Sequence, residues 1–198
     1  PQRMQVTDKD ILKNFTDALL PLPETDWQAF SAGWQELTVK RKTVLTAAGE
    51  TERYLYFVLE GVQRAFYLAD DHREATIVFT YAPSFSGVAD SFLTQTPSPF
   101  FLETITASRF LRISHDCYKQ LILESRPIND LFFKATSLAL QGALLRHIEL
   151  QCYTNEEKFR TLLKRSPHIL QIVPHKYLAS YLGMDATNFS KLINTVRL

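Results

Sequence analysis

The longest run of helical period in this chain is residues 128 to 152, which contains no proline and sets Leu131, Leu138, Leu145 and Cys152 at intervals of seven. A helix of that length is roughly 37 Å long, more than one small sheet can cover. Ala135, Ala139, Gly142 and Ala143 keep the surface beside the stripe small, so a second helix can approach closely. The segment therefore predicts a two-stranded seam and a dimer of the chain. The competing arrangement packs the stripe only onto the chain's own sheet.

What precedes this run reads differently. After Thr7, an N-cap residue, Ile11, Leu12, Phe15, Leu19 and Leu20 recur at helical spacing until Pro21 and Pro23 stop them. A second short helix is expected from about Asp26, with Trp27 and Phe30 on one side. The period then shortens to two. Segments 43–45, 54–59, 62–68, 74–79 and 102–113 are rich in β-branched and aromatic residues, separated by Gly49, Glu60-Gly61 and Asp70-Asp71. Short strands so spaced predict an antiparallel sandwich or barrel. From Ser114, a second N-cap, the helical period returns and persists. The expected class is α+β: an antiparallel β-roll over 1–125, a long dimerisation helix over 126–153 and a helical unit over 154–198.

Charge is uninformative in total and informative in its distribution. Lys and Arg number 22 against 21 acids, but from Thr154 onward seven basic residues face three acidic ones. That asymmetry favours a polyanionic partner for the C-terminal end; the bland reading is a solvated basic face. No apolar run reaches the ~18 residues that cross a bilayer and no charged-then-apolar leader opens the chain, so a cytoplasmic protein without a membrane partner is expected. Cys117 and Cys152, without a CxxC pair, offer no disulfide framework or thiolate metal site and read as small apolar fillers.

Catalytic chemistry finds little purchase. The histidines, at 72, 115, 147, 168 and 175, form no HxH or HxxxH pair, so no compact metal site is encoded. "SFSG" at 84–87 lacks the first glycine of a serine elbow. No enzyme is expected.

The stretch "HKYLASYLGMDATNFSKLI", 175–193, supplies the positive signal. Ala179, Gly183 and Phe189 have helix-turn-helix spacing: a small residue where the second helix crosses, a glycine for the left-handed turn, and an apolar residue pinning the second helix to the first. Asp185 caps that second helix, which, running from about 185 to 197, has the dimensions of the DNA major groove. A plain helical hairpin shares the spacing.

The order β-roll, long helix, then "VPHKYLASYLGMDATNFSKLI" resembles the Crp/Fnr family of bacterial transcription regulators, relatives of the catabolite activator protein, and most closely its branch common in Bacteroidetes. The resemblance covers essentially the whole chain. It implies a homodimer with a cyclic-nucleotide-binding-like effector domain and a winged-helix-like C-terminal unit that reads a palindromic operator in double-stranded DNA, with RNA polymerase as a further partner. The family presents a Glu to cytosine and an Arg to guanine; Thr187 and Lys191 stand at those positions. Thr makes one hydrogen bond or touches a thymine methyl, and Lys reaches guanine without the rigid fork of Arg. Lys176, Asn188 and Ser190, with His175, are assigned to phosphate or sugar, and Ala186 to space.

The family's cyclic-nucleotide cassette begins Gly-Glu and ends in Arg followed by Ser or Thr. In the matching stretch, 87–101, Gly87 is kept, Val88 replaces the Glu before Ala89, and Ser98-Pro99 replace the Arg and its neighbour. An apolar side chain and a proline cannot neutralise a buried phosphate. Cyclic AMP binding of the family type is therefore not expected, and no other cofactor is named. Phe79, Tyr81, Phe85, Phe100 and Phe101 are expected to fill the cleft or line an apolar pocket. Two functions follow: a DNA-binding regulator with a degenerate effector domain, or a small-molecule sensor or interaction module that has lost operator recognition. Salt-dependent binding to random duplex separates them.

Overall fold

The structure is a computed structural model that describes residues 6–196. Two helices open the chain. α1 (Asp8–Leu19) starts in a capping box, in which the Thr7 hydroxyl accepts from the Asp10 amide and the Asp10 carboxylate accepts from the Thr7 amide; α2 (Glu24–Ala32) follows the proline pair. Eight strands form the roll: β1 (Gln35–Val39), β2 (Val44–Thr46), β3 (Tyr54–Glu60), β4 (Val62–Leu68), β5 (Glu74–Tyr81), β6 (Ser84–Ser86), β7 (Phe101–Thr104) and β8 (Ser108–Ser114), with α3 (Ala89–Thr94) between β6 and β7. They pair antiparallel in two sheets, ordered β1-β8-β3-β6 and β2-β7-β4-β5. Tyr56, Val58, Ala65, Val88, Leu102 and Phe110 close the space between them. The predicted strand over 102–113 is two strands, because Ile105 leaves the β7 ladder and donates to Val62 O. β1 and β6 are additions to the predicted set; β6 is three residues long, too short for a period to register.

α4 (His115–Glu124) and α5 (Arg126–Cys152) follow, each capped by a serine, Ser114 and Ser125. α1, α2, α4 and the first turns of α5 cover the outer face of the β3–β8 sheet, burying Phe30, Trp34, Phe57, Ile113, Ile128 and Leu131. Leu131, the first residue of the expected seam stripe, therefore belongs to the subunit's own core. Beyond Phe132 the helix leaves that core, and Leu140, Leu144 and Ile148 are 60%, 58% and 50% exposed. Spaced by four, these three share one helix face, flanked by exposed Leu138 and Leu145. The unpartnered apolar face is thus centred away from the predicted heptad. Cys152 is also exposed rather than a filler, whereas Cys117 is partly buried, its thiol pushed up in pKa by that burial.

The C-terminal unit comprises α6 (Asn155–Arg165), α7 (Ile169–Ile172), α8 (His175–Leu182) and α9 (Ala186–Thr195). Phe159, Leu162, Ile169, Leu178 and Phe189 form its core, and Val62, Phe79 and Ile105 of the roll join it. Among the described residues no strand follows β8, so no β-wing accompanies these helices up to 196.

The two units are locked by polar groups as well. Arg64 on β4 is 2% exposed; its Nε donates to Glu103 at 2.6 Å and its Nη2 pairs with Glu74 at 2.8 Å. Its guanidinium lies 4.0 Å from the Phe66 ring centre and 3.6 Å from that of Tyr177 on α8. The Ser180 hydroxyl accepts from the Thr76 amide (2.9 Å) and donates to Glu74 O (3.1 Å), which hangs α8 on the edge strand β5. Such an edge otherwise presents unpaired backbone groups.

Candidate nucleic-acid interface and effector cleft

α8 and α9 meet as the spacing predicts. Ala179 is 2% exposed at the crossing, and Gly183 takes φ +64, with its amide donating back to Ala179 O and Ser180 O. A Cβ at Gly183 would lie 3.3 Å from the end of the Leu150 side chain on α5, which would have to give slightly, so it is the left-handed conformation that selects glycine there. Phe189 is buried against Phe159 and His175, with ring centres 5.5 and 5.6 Å apart. Asp185 Oδ1 accepts from the Asn188 amide at 2.7 Å and caps α9.

Burying Phe189, with Leu192 and Ile193 packed beside it, turns the opposite face of the helix outward. Thr187, Ser190 and Lys191 are exposed, as is Lys176 on α8. Asn188 differs from the other candidates: it is half-buried, and its side-chain amide donates to Asp185 Oδ2 at 2.9 Å. One of its two amide hydrogens is thus committed to the cap.

The basic surplus shrinks once partners are counted. Lys158 is buried, Arg160 pairs with Glu156, and Arg165 pairs with Glu149 at 2.5 Å. Arg197 lies outside the described residues. Lys164, Lys176 and Lys191 are left exposed and without an ion pair among the described residues.

The cassette region is closed by a group the sequence reading did not single out. Glu52, 1% exposed, lies between β2 and β3 and inserts its carboxylate beneath the segment that begins at Gly87. Glu52 Oε2 accepts from the Thr46 hydroxyl at 2.6 Å and the Val88 amide at 3.3 Å, while Oε1 accepts from the Tyr54 amide at 3.2 Å. Its own amide donates to Ser91 Oγ (2.9 Å), and its carbonyl accepts from the Gln95 side chain (3.0 Å). Glu52 therefore ties both ends of α3 to the strands. Nothing in the sequence marked Glu52 among its polar neighbours or linked 52 to 88.

Val88 packs into the roll interior, and Ala89 is exposed at the start of α3. Ser98 is buried: its hydroxyl donates to Phe100 O and accepts from the Phe100 amide, while its backbone pairs with Gly49 and Glu50. Pro99 is exposed beside it. The Ser98 hydroxyl thus folds its own loop. The five rings expected to fill the cleft do not gather there. Phe85 belongs to the core under α1, Phe79 packs on Tyr181, Tyr81 bonds Ser166, and Phe101 stacks on Phe66; Phe100 alone packs against the roll interior.

Burial raises the pKa of Glu52, against the lowering effect of the Thr46, Tyr54 and Val88 hydrogen bonds. Raised above its unfolded value, this carboxyl binds its proton more tightly in the folded protein. Its contribution to stability is full below the unfolded value and is lost as pH rises through the elevated one. Glu52→Gln should therefore flatten stability against pH just above the ordinary carboxylate range, while Glu52→Ala, which strands the Val88 and Tyr54 amides, should cost about 1–3 kcal/mol. Denaturant titrations across pH check both, and an unchanged pH profile in Glu52→Gln would discard the assignment.

No group of three or more potential metal ligands occurs among the described residues, and no helix there is long and apolar enough to cross a membrane. Residues 36–125 match the family model of the cyclic nucleotide-binding domain. No curated protein sequence matches the chain. Solved structures do. FixK2 from Bradyrhizobium japonicum is 15% identical, with a TM-score of 0.73 over 81% of this chain and 83% of that one. A candidate Crp/Fnr-family transcriptional regulator from Eubacterium rectale is 16% identical, with a TM-score of 0.69 over 87% and 82%. The catabolite activator protein of Thermus thermophilus is 17% identical, with a TM-score of 0.56 over 89% and 87%. The roll therefore matches the cyclic nucleotide-binding domain over 36–125, and more than four fifths of the chain carries the fold seen in solved Crp/Fnr-type transcription regulators.

Proposed function

We propose that this protein is a dimeric, sequence-specific DNA-binding transcription regulator that works without cyclic AMP. The observation that carries the reading is α9, which buries Phe189 on one side and turns Thr187, Ser190 and Lys191 to solvent on the other. A two-fold axis along the exposed face of α5 would present two such helices, about one turn of duplex (~34 Å) apart. Thr187 and Lys191 face base edges. Lys176, Ser190 and the uncommitted amide hydrogen of Asn188 hold the phosphate backbone, which positions without specifying.

The effector half of the reading rests on Glu52 and Val88. A carboxylate already accepts from the Val88 amide, and a cyclic phosphate brought next to it would meet like charge with no arginine from the cassette to offset it. Calorimetric titration with cyclic AMP should show no saturable heat.

The three exposed lysines of the C-terminal helices, Lys164, Lys176 and Lys191, six in a dimer, give a predicted slope of log K against log salt of about −5 on random duplex. Lys191→Ala should cost about 1–3 kcal/mol, concentrated at one operator position if Lys191 reads a base. Sites for that measurement come from selecting bound sequences out of a random duplex library. A slope near zero, with no selected sequence, would favour the second reading, a sensor or interaction module that has lost its operator; the small number of unpaired cations is what keeps that reading in play.

A further inference from the structure

A cavity of about 380 Å³ lies where the roll meets the C-terminal helices, outside the roll interior. One wall comes from the β3–β4 turn and the end of β5, the other from the segment joining α6 to α7. Val62, Ala82, Ile169 and Ile172 make the lining chiefly apolar. The polar residues of the lining are Tyr81, whose hydroxyl is hydrogen-bonded to Ser166, with Thr106, His168 and the cationic Arg165. No carboxylate lines it.

We infer that this seam cavity is a binding site for a compact, apolar monocarboxylic acid. Its volume sits at the small end of the ~300–1,000 Å³ of ligand pockets, which suits a single ring or a short branched chain. The apolar wall takes the body of such a molecule, and Arg165 takes its head. The Arg165 guanidinium gives one nitrogen to Glu149 and also bonds the Tyr181 side chain; the rest of its five N–H donors lie on a planar fork matched to carboxylate geometry. A neutral molecule of the same shape would fill the space and leave those donors unused; a dianion would bring a second charge against an apolar wall.

Position gives the site a consequence. Glu149 on α5 joins Arg165 to Arg146, and the Arg146 guanidinium lies 3.6 Å from the ring centre of Tyr181 on α8. A ligand that draws Arg165 toward the cavity acts on a contact chain ending in the helix-turn-helix. The cavity and its chemistry stand independently of DNA binding, so the test below is made without DNA, and failure of the regulator reading would leave it untouched.

The matched probes are 3-phenylpropionate and 3-phenylpropan-1-ol, titrated calorimetrically into the full chain. The acid should bind saturably, one per chain, at least tenfold more tightly than the alcohol. Ile172→Trp, which fills the mouth from a half-exposed position, should abolish binding of both probes. Arg165→Gln should weaken the acid at least tenfold and leave the alcohol unchanged. Absence of saturable binding by the acid, equal affinity for the two probes, or acid binding undiminished in Ile172→Trp would overturn the inference.

Discussion

Replacing Leu144 and Ile148 together by Asp should render the chain monomeric and lower its affinity for a two-half-site operator by about 10²- to 10⁴-fold. The argument begins with burial. Both side chains are at least half exposed in the subunit, on a face they share with Leu140. Carboxylates placed there disturb little within one chain, yet they would be forced against their own copies across a two-fold axis. A dimer gains its second half-site contact intramolecularly, and that gain disappears on dissociation. Sedimentation should show the mass halved, while the unfolding of the subunit itself shifts little. Affinity for a single half-site should stay near the wild-type value. A double variant that remained dimeric would place the two-fold axis elsewhere, and equal loss on one and two half-sites would show that the substitutions had damaged α9.

The second large effect concerns Arg64. Arg64→Met removes the cation between Glu103 and Glu74 and leaves two carboxylates facing an apolar side chain, the nearer one, Glu103, largely buried. Breaking a buried pair from one side typically costs about 3–5 kcal/mol, because the remaining charge stays desolvated. The loss should fall on the junction of the two units, since Arg64 also supplies the flat cation between Phe66 and Tyr177. Proteolysis between α5 and α6 should therefore accelerate before the roll unfolds. Adding Glu74→Gln and Glu103→Gln to the Met variant should recover part of the stability by removing the orphaned charges. A loss below about 1 kcal/mol in Arg64→Met would mean that the apolar contacts of Phe79 and Tyr181 hold α8 without it.

Much of the C-terminal unit was legible in the chain because its determinants are local. The small Ala179, the left-handed Gly183, the Asp185 cap and the buried Phe189 lie within eleven consecutive residues, and each acts on neighbours a turn or two away. The same holds for the capping box at Thr7 and the serine caps at 114 and 125. Strands 54–60 and 62–68 were visible through composition and period, whereas Gln35–Val39 and Ser84–Ser86 are strands because of the partners they meet.

The candidate site was legible in part. Thr187, Ser190 and Lys191 emerge on the exposed face as expected, but the cap function of Asn188 and the internal pairing of Arg160 and Arg165 required coordinates, since a charge counted in a sequence carries no information about whether a carboxylate stands beside it. The cassette tells the same story in reverse. Its missing Glu and Arg were plain, while the group that closes it, Glu52, approaches from the β2–β3 connection far earlier in the chain.

By itself, then, the order of residues determined the helices and their caps, the helix-turn-helix and most strands of the roll, all matters of short-range sterics and periodicity. Only the tertiary structure decided which face of α5 stays uncovered, how Arg64 and Ser180 seat α8 on β5, and where a cavity opens at the seam. Those features depend on groups more than 100 residues apart, as Thr76 and Ser180 are, whose meeting is set by how whole elements pack and leaves no period in the chain to read.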